Sequence, residues 1–408
     1  MMEYFYPLAL SSWDQEEIDV SCEVIRSTRT TMGVRVSQFQ NEFSQYIGSR
    51  KTYMVNSGSS ANLLMAMALK VYLELHHDCR RTILIPAVGW STSYAPFIQL
   101  GFNVKLVDVS LSTYNIDLDE IICQFNDQVV AVLAINILGN PCFLEDLSNY
   151  CDQKNIFLLE DNCESLGAEI VGSNGYRKAG NFGIMASHSF FFSHHINTME
   201  GGCVCTSDDT FALLLKILRN HGWVRDLDED DLSIVASPVL DFVKQSLRNL
   251  ADNENVNFMR SFYFLLPGFN LRPTEIQGAL GSLQLKKLPL FIEKRRENAR
   301  LMRDLAKNIS FLRMQNEVGR SSFFGFGFIV DLANDRDRLA AYLDKNGVQV
   351  RPIVSGNIAK HPLALQMNKD SALSNASTIH ESGFFVGNHH VDFSSKLLKF
   401  ADLLQTFK

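Results

Sequence analysis

A chain of 408 residues, 46% hydrophobic and 20% charged, exceeds what one hydrophobic core serves and is too apolar for wholesale disorder, so a large domain with a smaller companion is expected. The formal net charge of -7 offers no global positive field for nucleic acid, although a local anion site is compatible with it. Asp14, Glu16, Glu17 and Asp19 stand where a signal peptide would need a basic start, and no apolar run reaches membrane-spanning length, so a cytoplasmic protein is expected.

Taken in chain order, the first marked feature is the turn Asn56-Ser57-Gly58-Ser59-Ser60-Ala61-Asn62, which precedes the helix-like run LLMAMALKVYLEL. Free N–H groups at such a helix start bind phosphate, and an ordinary serine cap is the plainer reading. Short β-branched apolar runs follow at 82–86, 103–107, 129–136 and 156–161, separated by amphipathic segments. This pattern predicts buried parallel strands with crossover helices, an α/β fold. The last run ends in Glu160, Asp161 and Glu164. Acids at the C-terminal ends of parallel strands face the ligand crevice, while acids at a helix start would merely suit its dipole.

Next comes Ser189-Phe190-Phe191-Phe192-Ser193-His194-His195-Ile196-Asn197-Thr198-Met199-Glu200-Gly201-Gly202. Adjacent histidines seldom point at one metal ion and no HxxxH or CxxC accompanies them, which leaves a packed pair or a general base. An acidic stretch over 226–257 predicts an inserted surface loop with helix. From Glu293 a basic helical segment leads into strands near 322–330 and 348–353, so domains of 1–292 and 293–408 are expected.

In this order and at this spacing the segments resemble the DegT/DnrJ/EryC1/StrS sugar aminotransferases. The Pro86-Ala87-Val88-Gly89-Trp90 strand end and the later Gly268-Phe269-Asn270-Leu271-Arg272-Pro273-Thr274-Glu275 belong to the same likeness, which covers nearly the whole chain. The resemblance implies the aspartate-aminotransferase fold (PLP-dependent fold type I), with a large mixed, mostly parallel sheet and a small C-terminal α/β domain. It implies that Gly58, Ser59 and Ser60 cradle the phosphate of pyridoxal 5'-phosphate, with Ser189 adding a hydroxyl. Trp90 would stack on the pyridine ring, Asp161 would pair with the ring nitrogen, and Glu164 stands beside the ring hydroxyl where relatives carry Gln or His. Asn270 would reach the phosphate of a neighbouring subunit, implying a homodimer with shared active sites.

The departure lies at the lysine that anchors the cofactor in aminotransferases: that position is His194. An imidazole cannot form the stable Schiff base of a primary amine, and the nearest lysines, Lys178 and Lys216, fall outside the motif. The family branch with this substitution is the sugar 3-dehydratases. Membership would mean use of the amine form, pyridoxamine 5'-phosphate, with His194 as the base. It would mean loss of the C3 hydroxyl from a nucleotide-linked 4-keto-6-deoxy sugar, GDP-4-keto-6-deoxy-D-mannose of the colitose route being the expected substrate. L-glutamate would restore the amine. Another nucleotide-linked ketosugar is the alternative. His221, Arg351, His361 and Asn388 lie in segments resembling the branch's substrate side. All eight cysteines precede residue 206, which argues against the iron–sulfur cluster used by a CDP-sugar branch; no metal site is expected.

Overall fold

The computed structural model describes residues 4–172, 175–251, 259, 262–331, 336–369 and 372–407. Its larger sheet collects β1 (Lys51–Val55), β2 (Thr82–Pro86), β3 (Asn103–Val107), β4 (Val129–Ile135), β5 (Phe157–Asp161), β8 (Met185–Ser189) and β9 (Gly202–Thr206). A separate ribbon pairs β6 (Glu169–Gly172) with β7 (Gly175–Lys178). The order in the large sheet is β1-β9-β8-β5-β4-β2-β3. β9 runs antiparallel to both neighbours, while β8, β5, β4, β2 and β3 are mutually parallel.

The predicted strands at 82–86 and 103–107 form with those bounds, and the next two start or end one residue short. The cause is two-sided burial. Every residue of β4 is buried, and in β2 Ile83 and Ile85 enter one apolar cluster while Leu84 enters another. A strand covered on both faces needs a continuous apolar run, which is the pattern the sequence displays.

The acidic insertion carries the helix expected in it, but that helix is not confined to the surface. It spans Pro238–Ala251, and its Val239, Leu240 and Val243 are buried in the main core; residues 252–258 lie outside the described ones. The amphipathic spacing of those three residues anchors the segment.

The second sheet orders β10 (Leu312–Met314), β11 (Gly325–Val330), β13 (Gly383–Gly387) and β12 (Val350–Arg351), all antiparallel. The strands expected at 322–330 and 348–353 are therefore shorter than predicted. The boundary expected after residue 292 falls inside one helix, Glu275–Ala306. Its start is fixed by a capping box of Thr274 and Gln277. The N-terminal residues pack with the second sheet, although they had been assigned to the first domain. Tyr6 is fully buried, donates its hydroxyl to Gly387 O at 2.9 Å and meets Phe393 edge-on at 4.9 Å. No helix among the described residues is long and apolar enough to cross a membrane.

Candidate active site

Parallel strands end together at one edge of the large sheet, and the singled-out residues gather there. β1 runs into the turn at Ser57, which caps the helix Gly58–Leu75 by accepting from Ser60 N at 3.1 Å. β8 ends at Ser189, and β9 begins at Gly202, whose register partners are Val55 on one side and Ser189 on the other. A Cβ on Gly202 would lie 2.5 Å from Ser57 O and 2.7 Å from Gly58 N. The glycine pair after Glu200 thus lets the phosphate-type turn sit directly on the sheet. Ser189 closes the other side, since a Cβ on Gly58 would stand 2.8 Å from its Oγ.

The helix Ser91–Gln99 stitches this turn to the acids. Thr92 Oγ1 lies 2.8 Å from Ser59 Oγ, and Ser93 Oγ donates to Asp161 Oδ2 at 2.7 Å. Trp90 precedes it with its large ring 57% exposed. Asp161 is buried and also accepts from Asn62 Nδ2 at 2.8 Å and from Cys163 N at 3.1 Å. Three donors fix the carboxylate in one orientation.

The three acids expected at this edge separate. Glu160 points to the opposite side of β5, as strand alternation requires, and accepts from Gly180 N, Phe182 N and Gly183 N at 2.7 Å each. It organises a loop and does not face the crevice. Glu164 accepts from Leu138 N at 2.8 Å. Loss of solvent pushes its carboxyl up to about 7, opposed by that hydrogen bond and aided by the charge of Asp161.

His194 sits in the loop between β8 and β9, half-buried, its N–H bonded to Phe191 O at 2.9 Å. Its ring lies 5.2 Å from that of Phe324 with planes 31° apart, and its buried Nδ1 has no partner among the described residues. The imidazole is lowered to about 4, chiefly by burial; Asp161 pulls the other way, Arg295 adds to the lowering and the Cys163 backbone opposes it. His195 diverges from it, being buried with Nε2 3.1 Å from Ser322 O. The pair therefore shares no ligand direction. Lys178 lies over the Tyr46 ring at 4.7 Å, and Lys216 is held by Asp231 at 2.6 Å and Asp228 at 3.1 Å.

The expected substrate-side residues lie in four places. His221 packs on Trp223 at 4.6 Å, and its neighbour Asn220 bridges Asn270, which is exposed and accepts from Arg272 Nε at 3.0 Å. His361 Nε2 is 3.0 Å from Ser355 O, and Ser355 Oγ donates to Gly89 O beside Trp90 at 2.5 Å. Arg351 is exposed on β12. Asn388 departs from a substrate-contact role: it is buried, donating Nδ2 to Arg295 O and Phe323 O at 3.0 Å each and accepting from His389 N at 2.8 Å. Its amide is consumed in joining the long helix to the second sheet.

Sequence reading passed over Asn62, Thr92, Ser93, Phe324 and Arg295. Asn62 lies one helical turn after Gly58, and Thr92 and Ser93 directly follow Trp90, so their proximity could have been inferred. Phe324 and Arg295 come from distant segments and left no local signal.

A small-residue turn at a helix start, an exposed indole, a fixed carboxylate and a half-buried imidazole at the end of such a sheet make up a pyridoxal-phosphate-type site on the aspartate-aminotransferase fold. Residues 11–395 match the DegT/DnrJ/EryC1/StrS aminotransferase family, and the chain belongs to it. It is 39% identical over 406 residues to a GDP-4-keto-6-deoxy-D-mannose 3-dehydratase of Yersinia pseudotuberculosis, covering 98% of each chain. The structure of the E. coli GDP-4-keto-6-deoxy-D-mannose-3-dehydratase with bound hydrated PLP superposes with a TM-score of 0.89 at 38% identity, over 99% of this chain and 100% of the other. A GDP-4-keto-6-deoxymannose-3-dehydratase with a trapped PLP-glutamate geminal diamine superposes at 0.88 with 38% identity, over 98% and 100%.

Proposed function

We propose that this chain is a pyridoxal-phosphate-dependent lyase that removes the C3 hydroxyl of GDP-4-keto-6-deoxy-D-mannose, with L-glutamate restoring the amine form of the cofactor. The observation that carries this reading is His194, a half-buried imidazole at the position where the family's aminotransferases hold lysine. The whole-length likeness to 3-dehydratases supports the substrate class.

The residues present fit the cofactor. Gly58, Ser59, Ser60 and Ser189 would hold its phosphate, Trp90 its ring face, Asp161 its ring nitrogen and Glu164 its ring hydroxyl. When bound, it supplies a primary amine for the sugar ketone and a cationic ring that accepts an electron pair. His194 is kept neutral near pH 7 by its surroundings, so it is ready to accept a proton. Once protonated it stands in a site that disfavours the cation, and it gives the proton readily to the departing C3 hydroxyl. The Phe191 and Phe324 rings, 6.2 and 5.2 Å from it, give the imidazole an apolar setting. Over a full turnover, the sugar and L-glutamate yield the 3-deoxy-4-keto sugar, 2-oxoglutarate and ammonia. The electrons lost by glutamate reduce C3, and no outside oxidant or reductant is needed.

The active form is a homodimer in this reading. Phe191, Phe192 and Met199 in the loop that carries His194, and Phe262 and Phe264 in the segment before Asn270, are exposed; a second subunit would cover such apolar side chains. The exposed Asn270 would then reach the partner's phosphate.

Gly58→Ala is expected to weaken pyridoxamine-phosphate binding about tenfold or more, because the added methyl stands 2.5 Å from Ser189 Cβ; fluorescence titration checks this, and wild-type affinity would place the phosphate elsewhere. Glu164 gives a prediction of definite sign. Its folded carboxyl is raised from 4.5 to about 7, so across that window the folded state binds more protons than the unfolded one. Stability from this group is therefore lost as pH rises. Glu164→Gln should remove that slope, seen as a smaller fall in the melting temperature of the cofactor-free protein between the two sides of the window.

The function is tested by incubating the protein with cofactor, L-glutamate and GDP-, CDP- or dTDP-linked 4-keto-6-deoxy sugars. Ammonia and 2-oxoglutarate should appear with the GDP sugar. Their absence with every sugar would reject the dehydratase reading, and release with another nucleotide alone would reassign the substrate.

A further inference from the structure

Arg295 lies on the helix Glu275–Ala306 and is buried. Among the described residues no carboxylate pairs with it, and its Nε has no partner. Instead Nη1 donates to three backbone carbonyls: Asn388 O at 2.5 Å, Phe324 O at 3.2 Å and Phe323 O at 3.4 Å. A guanidinium placed out of water without a counter-ion is costly even after relaxation. Stability alone would be better served by an apolar side chain, so a charge retained here calls for another reason.

We propose that Arg295 is a positioning residue for His194: it holds the wall against which the imidazole packs and places an uncompensated positive charge behind it. The wall is the segment 321–324. Phe323 occupies a left-handed backbone conformation at φ 47°, which a non-glycine residue adopts only when its surroundings enforce it. The bonds from Arg295 to the Phe323 and Phe324 carbonyls enforce it, and the Phe324 ring is thereby set against His194. The same segment receives His195 through Ser322 O and the Asn388 amide through Phe323 O. The guanidinium thus holds the Phe324 side of the contact, and the segment it holds also receives the residue next to His194.

The charge acts in the same direction as burial. Arg295 disfavours protonation of His194, His195, His389 and His390 alike. Asp161 opposes it at His194, as does the Cys163 backbone; His195 is the remaining titratable neighbour. Burial is the largest influence and disfavours the cation, and Asp161 draws His194 back toward protonation. Arg295 offsets that pull.

This inference rests on the reading of His194 as the base, but its test reads the imidazole itself. Histidine side chains of the full-length, isotopically labelled protein are titrated by NMR in wild type, R295Q and R295K, with His194 assigned from H194N. Glutamine keeps amide donors for the carbonyls and removes the charge; lysine keeps the charge and removes the fork. The proton affinity of His194 should rise about tenfold or more in R295Q and stay near wild type in R295K, and the acid limb of kcat/KM should move in step. A purely structural arginine predicts lowered melting temperatures in both variants with no selective shift. Identical titration of R295Q and wild type, or an equal rise in R295K, overturns the proposal. Should R295Q not fold, R295M takes its place as the charge-free variant: a selective upward shift of His194 supports the proposal, and an unchanged titration overturns it. A failed dehydration assay would leave the titration result standing, so the two failures are separable.

Discussion

His194→Asn is expected to lower the dehydration rate about a thousandfold, the scale of a lost general base, while cofactor affinity stays within about threefold of wild type. The asparagine amide has a similar size and can neither take up nor release a proton near neutrality. The affinity should hold because the groups proposed for cofactor binding, the Ser57–Ser60 turn, Ser189 and Asp161, come from other parts of the sheet edge. Steady-state kinetics with a parallel binding titration check both halves. His194→Lys carries the complementary expectation: a primary amine at this point attaches the cofactor covalently, borohydride fixes it to the chain, and dehydration is suppressed. An unchanged rate in either variant would mean that the base is another residue.

Asp161→Asn should reduce turnover about a hundredfold to a thousandfold, through loss of the negative charge opposite the ring nitrogen. The fold should survive, since the amide oxygen can still accept from Asn62 and Ser93, the buried donors that Asp161 Oδ2 serves at 2.8 and 2.7 Å. Asp161→Ala differs in kind. It strands those donors at about 1–3 kcal/mol each and should lower the melting temperature as well as the rate. Comparing kcat with thermal unfolding in the two variants separates chemistry from scaffolding. A rate loss in Asp161→Asn matched by an equally severe loss of stability would count against the electrostatic role.

The parts of this molecule legible from sequence are those with local physical causes. Strand β2 was readable because two-sided burial forces consecutive apolar residues, β3 from its buried Val104, Leu106 and Val107, and the phosphate-type turn because small residues precede a long apolar helix. Asp161 was readable as the end of an apolar strand, but its neighbour Glu160 was misread. Alternation sends Glu160 to the far side, where it binds three backbone N–H groups, and that parity could have been applied beforehand. The helix expected in the acidic insertion forms, but the charges around it hid that Val239, Leu240 and Val243 pack into the main core. Asn388 and Arg295 mark the limit of local reading. Their roles arise from carbonyls contributed by segments tens of residues away, and a motif likeness assigned Asn388 to substrate when its amide is spent inside the protein. The small sheet's strands were overextended for a related reason: short antiparallel strands depend on which neighbours they meet.

The central claim, that histidine in place of lysine turns an aminotransferase site into an eliminating one, is tested most directly by the mass of the sugar product. Enzyme, cofactor, L-glutamate and GDP-4-keto-6-deoxy-D-mannose should yield a GDP sugar that has lost the C3 oxygen and kept the C4 ketone, with one ammonia and one 2-oxoglutarate released per sugar. A GDP sugar bearing an amino group at C4 with the C3 hydroxyl intact, and no free ammonia, would contradict it.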